Sequence, residues 1–147
     1  MNSMRSLQAL KLLMRSEKME NLTDSIELVL PFKAEYVSTA RLVASGVASR
    51  VGFDIETIED IKVAIAEVCN KLVQVGSQQV ESYRVIFRVA SNKLSVIFDC
   101  EDRSLKCIFG AEDELGVSII NALMDEVEFC SEGNNILLMS KGLEGIN

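Results

Sequence analysis

Histidine is missing from this chain altogether. With it go the commonest general base and both Ser-His-Asp and Cys-His nucleophilic catalysis. Any chemistry must rest on carboxylates, lysine or a bound ion. Proline occurs once and glycine eight times in 147 residues, which leaves little room for a flexible linker. No run approaches the roughly 18 apolar residues that a membrane-spanning helix requires. Basic residues are also scarce: 15 Lys and Arg stand against 22 Asp and Glu, for a net charge of -7. Such a surface does not attract a phosphate backbone, and no local basic patch offsets it, so direct nucleic-acid binding is not expected. The four cysteines, at 69, 100, 107 and 130, lack the paired C-x-x-C spacing of a zinc or iron-sulfur site. The simpler expectation is four reduced, partly buried thiols in a cytoplasmic protein.

What is present is apolar and β-branched. A hydrophobic content of 48%, rich in Val and Ile, argues for a folded globule, and the length suits one domain rather than two. The domain pattern begins only after Met19, itself a plausible start. Residues 1–18 carry Leu7, Leu10, Leu12, Leu13 and Met14 among Arg5, Lys11 and Arg15. They are expected to form a helical N-terminal extension packed on the domain or on a second copy, with residues 19–147 as the single domain.

The most telling segment runs from Ile58 to Val73. On a helical wheel Ile58, Ile61, Ile65, Val68, Leu72 and Val75 form one apolar stripe, while Asp60, Glu67, Lys71 and Gln74 gather nearly opposite. Glu67 and Lys71 stand four apart in the favourable acid-first order. They fit a solvated surface pair worth a few tenths of a kcal/mol, about 0.2–0.5, and they equally fit a polar site lining one helix face.

The remaining elements follow from period and punctuation. Ser25 to Pro31 reads as a strand ending at a residue without an amide hydrogen. Ala34 to Val51 shows Val37, Ala40, Ala44, Val47 and Val51 at helical spacing, stopped by Gly52. Asp54 or Thr57 caps the next helix, and Gly76 ends it. Tyr83, Val85, Phe87 and Val89 alternate with Ser82, Arg84, Ile86 and Arg88, and a turn at Asn92 or Lys93 leads into a second strand from Leu94 to Asp99. Val117 to Met124 makes a third helix, and Val127–Cys130 with Ile136–Met139 a terminal hairpin. The expected fold is an α+β two-layer sandwich with a mostly antiparallel sheet and helices on one face.

Two stretches tie this pattern to a known family. Val51-Gly-Phe-Asp followed by Ile58-Glu-Asp-Ile-Lys-Val-Ala-Ile-Ala-Glu-Val-Cys, and Leu115-Gly-Val followed by Leu123-Met-Asp-Glu-Val127, resemble the bacterial anti-sigma factors and switch-protein serine kinases with the histidine-kinase-like ATPase fold. The resemblance spans roughly Ser25 to Leu143. It implies binding of ATP and magnesium, phosphorylation of a serine on a small antagonist protein, and capture of a sigma factor by a dimer, wherever the residues match.

Several do not match. The family's first motif is a glutamate with an asparagine four residues later. Glu67 takes the place of the glutamate, the catalytic candidate if the chain is active, but Lys71 stands where the asparagine belongs. Asn70 comes one residue early, about 100° off the magnesium-binding direction, and is at best a weak metal ligand. The family's Asp-x-Gly, which holds adenine, aligns with Cys100 and Asp102; cysteine is a poor acceptor, and a side chain crowds the glycine's place. Neighbouring Asp99 and Glu101 offer contacts in an atypical geometry. Before the third helix the family presents glycines whose amides take phosphates, whereas here Gly110-Ala-Glu-Asp-Glu-Leu-Gly116 sets Glu112, Asp113 and Glu114 where anions would arrive.

The nucleotide positions carried over are therefore Asn70, Lys71, Cys100, Asp102 and Gly116. The expectation is an anti-sigma-factor-like regulatory module with reduced or lost ATP binding and no cofactor, forming a homodimer that binds a sigma factor or an anti-sigma-factor antagonist. One alternative is an ATP- and magnesium-dependent serine/threonine kinase acting on such an antagonist through Glu67. Another is a small-molecule-sensing α/β module with a pocket near Cys100, Asn70 and Lys71.

Overall fold

Capping at two points divides the helical half of the chain. Gly52 takes a φ of 107°, a left-handed conformation that costs an L side chain about 1–2 kcal/mol, and its amide donates to the carbonyls of Ala48 and Ser49. Two residues on, Asp54 is extended and its Oδ1 accepts from the amide of Thr57 at 2.8 Å. One helix therefore stops and another starts within a three-residue connection, which forces the two to lie side by side.

The computed structural model describes residues 24–130 and 135–143. Along them run β1 (Asp24–Pro31), a 3-10 turn (Ala34–Tyr36), α1 (Val37–Val51), α2 (Ile55–Val75), β2 (Ser82–Val89) and β3 (Lys93–Asp99). A second 3-10 turn (Ala111–Asp113), α3 (Glu114–Leu123), β4 (Glu126–Glu128) and β5 (Leu137–Gly142) complete the order. The strands form one sheet in the order β1-β2-β3-β5-β4, with every neighbouring pair antiparallel. Helices cover one face, the α+β two-layer arrangement expected from the sequence.

Period-two alternation decides which sheet residues meet the helices. Tyr83, Val85 and Phe87 of β2, Leu94, Val96 and Phe98 of β3, and Leu137 and Met139 of β5 are fully buried. They pack with Ala40, Ala44 and Ala48 of α1 and with Ile61, Ile65, Val68 and Leu72 of α2 in one core. The alanines let α1 approach closely, since each projects only a methyl group. Arg84, between Tyr83 and Val85, points to the other face. Among the described residues no helix is long and apolar enough to cross a membrane.

Several boundaries differ from the sequence reading: Ala34–Tyr36 is a 3-10 turn ahead of α1, β5 runs on to Gly142 instead of stopping at Met139, and two more shifts lie at α3 and β4. The third helix begins at Glu114, three residues before Val117, because Gly110 and Asp113 close a reciprocal turn ahead of it: the Asp113 amide donates to the Gly110 carbonyl at 3.0 Å, and the Gly110 amide donates to Asp113 Oδ2 at 2.8 Å. Acidic side chains in that first turn favour the positive helix end. The terminal hairpin is shorter on its first arm, with β4 ending at Glu128 and Cys130 beyond it. The expected N-terminal extension, residues 1–18, lies outside the described residues.

Candidate functional site

Lys71 lies in the last turns of α2 on the side turned toward α3, and it is only 8% exposed. Its ammonium sits 2.8 Å from Asp113 Oδ2 and 3.0 Å from Oδ1, with Glu112 Oε1 at 3.8 Å. The expected surface pair with Glu67 is therefore replaced by a long-range bond across 42 residues. The reason is burial: an ammonium shielded from water needs close anionic partners, and the acidic turn before α3 supplies them. The hydrogen bond from Lys71, then that from the Gly110 amide, holds the Asp113 carboxyl below its ordinary value.

Glu67, one turn earlier on α2, faces the same helix start. A Cβ placed on Gly116 would fall 3.3 Å from Glu67 Oε2 and 3.9 Å from the ring of Phe109. Gly116 thus permits the backbone of α3 to come up against the Glu67 carboxylate. Glu67, Lys71, Asp113 and Gly116 converge on one seam between α2 and α3, whereas Asn70 is exposed.

The other two nucleotide positions lie past β3 and are used internally. Asp102 is 5% exposed; its Oδ2 accepts from Ser77 Oγ at 2.6 Å, and its Oδ1 from Ser104 Oγ at 2.6 Å and the Ser104 amide at 3.0 Å. These bonds, the Ser104 hydroxyl's first, hold its carboxyl below the usual carboxylate range. They also tie the loop after α2 to the segment after β3. Cys100 is buried, donates to the Asp102 carbonyl at 3.5 Å, and has its thiol pushed up chiefly by loss of solvent. Asp99 and Glu101 turn the other way: Arg84 on the opposite sheet face donates to Asp99 Oδ2 at 2.6 Å and Glu101 Oε1 at 2.8 Å.

The cysteines correct the sequence reading by half. Cys69 and Cys100 are free and buried, but Cys107 and Cys130 are joined as a disulfide. The fold returns the end of β4 to the segment after β3, a proximity that a linear spacing of 23 residues does not reveal. Sequence reasoning does not single out Ser77 and Ser104, and it places Asp113 only in the acidic turn. The acidic run at 112–114 was visible, but nothing in it named Lys71 as a partner.

A model of the histidine kinase-like ATPase domain matches residues 30–141. The chain belongs to that family. Relatives include the serine-protein kinase RsbW of Halalkalibacterium halodurans, 32% identical over 137 residues, covering 82% of this chain and 85% of the relative. The proteins of the same name from Bacillus thuringiensis and Bacillus anthracis are 32% and 33% identical over 138 residues, covering 82% of this chain and 86% of each relative.

The family implies ATP and magnesium, and the donor set on the α2–α3 seam does not fit them. A magnesium ion asks for oxygen ligands, yet the place four residues after Glu67 holds an ammonium that repels it. Phosphates ask for free amides at a helix start, yet the Gly110 amide is already bonded to Asp113, and Glu112 and Glu114 add like charge. Among the described residues no group of three His, Cys, Asp or Glu side chains is placed to hold a metal.

Proposed function

We propose that this chain is an anti-sigma-factor-like regulatory module that works by holding a protein partner, its nucleotide site having lost ordinary ATP chemistry. The observation that carries the reading is the Lys71–Asp113 pair. In the resemblance to the family, these positions belong to the metal-binding asparagine and the phosphate-facing turn. The ammonium stands in for the cation and the carboxylate for the anion, so the seam is satisfied from within. Cys100 and Asp102 support the same reading, because the adenine acceptor is replaced by a thiol and the Asp102 carboxylate is taken up by Ser77 and Ser104. The partner class, a sigma factor or an anti-sigma-factor antagonist, comes from the family, as do the homodimer and the cytoplasmic setting.

The relatives' name favours the kinase alternative, and Glu67 keeps it open. If the chain transfers phosphate, Glu67 is the one carboxylate of the matched motif placed to take a proton from a serine hydroxyl or to orient it.

Calorimetric titration of the full chain with ATP and magnesium separates the two readings, run beside a phosphate-transfer assay on candidate antagonist proteins and a binding assay with sigma factors. Partner binding without nucleotide heat or transfer is the expected result. Micromolar nucleotide binding with transfer that is abolished by Glu67→Gln, while folding stays normal, overturns it in favour of the kinase.

A further inference from the structure

We propose that Cys107 and Cys130 form a reversible thiol–disulfide couple, oxidised by small disulfides of the glutathione type, that staples the segment between β3 and α3 to the end of β4. Three observations carry it. The Cα atoms are 5.1 Å apart, inside the range that a disulfide bridges without moving backbone. Both residues are exposed, so small oxidants and reductants reach either sulfur. Beside them Phe109 meets Phe129 edge to face at 5.6 Å, a contact that holds the two segments together independently of the sulfurs and keeps reduced thiols within reach of each other.

The other two cysteines are built to stay out of this chemistry. Cys69 and Cys100 are buried, and burial pushes the Cys69 thiol up to about 12, so it offers almost no thiolate at neutral pH.

The exchange balances in two steps. The thiolate of one exposed cysteine attacks the small disulfide and expels a small thiolate, leaving a mixed disulfide. The second cysteine's thiolate then attacks the protein sulfur and expels the other small thiolate. Two protein sulfurs lose two electrons, the small disulfide gains them, and the two protons end on the released thiols.

The structural consequence falls on residues 103–110, which have no helix or strand of their own. Asp102 pins one end of this segment to Ser77, and Asp113 pins the region beyond the other end to Lys71. Between them Leu105 and Ile108 are buried in the core and Phe109 meets Phe129, and the staple adds the one covalent tie. Oxidation therefore stiffens residues 103–110 and reduction releases them, whether or not a nucleotide binds at the α2–α3 seam.

The test uses the full chain equilibrated in glutathione buffers of opposite ratio, alkylated, digested and weighed. The expected product under oxidation is one intramolecular Cys107–Cys130 cross-link, lost on adding dithiothreitol, with Cys69 and Cys100 alkylated only after unfolding. Amide exchange over 103–110 should be several-fold slower in the oxidised protein than in the reduced one. Cys107→Ser and Cys130→Ser should exchange like the reduced protein in both buffers. Mixed disulfides without the cross-link, linkage to Cys69 or Cys100 or between chains, or equal exchange in the two wild-type states would overturn the proposal. The wild-type comparison decides it even if a serine variant folds poorly.

Discussion

Lys71 and Asp113, 42 residues apart in the chain, meet at 2.8 Å where α2 passes the start of α3. Because the ammonium is nearly buried, removing it leaves the largely shielded Asp113 carboxylate without its cation, while Glu112 stays exposed to water. Lys71→Met should lower the melting temperature clearly. Lys62→Met removes a pair with Glu59 within one helix, of the kind worth at most about 0.5 kcal/mol, and should barely change it. Equal effects at the two positions in thermal unfolding would argue against the seam as a structural tie.

The same pair sets an acid dependence. Asp113 is held below its ordinary 3.8 by Lys71 and the Gly110 amide, so the folded state binds its proton less readily than the unfolded state does. Its contribution is full above the ordinary value and is lost as pH falls through the lower, folded one. In urea unfolding, wild type should exceed Asp113→Asn by a constant margin near neutrality, and the margin should close on acidification. A margin that widens with acid has the wrong sign for this account.

If the seam has lost nucleotide binding by filling itself, unfilling it should move the protein back. The double substitution Lys71→Asn with Asp113→Gly removes the internal cation, supplies the family's asparagine four residues after Glu67, and frees the Gly110 amide. ATP with magnesium should then release more heat with the variant than with wild type in calorimetry. No gain in a well-folded variant would show that Cys100 and Asp102 block the site by themselves.

Gly116 makes a prediction with a built-in control. Alanine is worth up to about 1 kcal/mol over glycine inside a helix, yet a methyl group here meets Glu67 Oε2 at 3.3 Å. Gly116→Ala should therefore gain little in wild type and close to the full amount in a Glu67→Ala background. Chemical denaturation of the four proteins of this cycle measures the difference, and identical gains in both backgrounds would remove the contact from consideration.

Burial ranks the remaining positions. Ile65 on α2 is fully buried, and Ile65→Ala should cost about 2–5 kcal/mol, while Leu42 on α1 is 72% exposed, and Leu42→Ala should stay within about 0.5 kcal/mol. Similar losses at both sites would mean that Leu42 is covered in solution by something else, which light scattering across concentrations would then detect as self-association.

Local pattern was enough for the element order, because each element carries its own period. The alternation from Ser82 to Val89, the stripe through Ile61, Ile65, Val68 and Leu72, and the stops at Gly52 and Gly76 are satisfied within a few residues by pleat, helix turn and cap. The family could be read for the same reason, from contiguous stretches around Glu67 and Leu115. The start of α3 escaped because the Gly110–Asp113 turn trades bonds that no periodicity announces. The partners of Lys71 and Cys107, and the Ser77 partner of Asp102, lie on segments that meet only after the sheet has ordered itself as β1-β2-β3-β5-β4 with α2 and α3 packed on it. A wheel drawn on one helix assigns Lys71 to water because it sees no second helix; a neighbouring backbone excludes that water, and an ammonium deprived of it takes the nearest carboxylate. The sequence thus determined which segments become helices and strands and which of their faces are apolar, whereas the pairing of its charged and sulfur groups was decided by tertiary packing, since such pairing depends on distance in space and on loss of solvent.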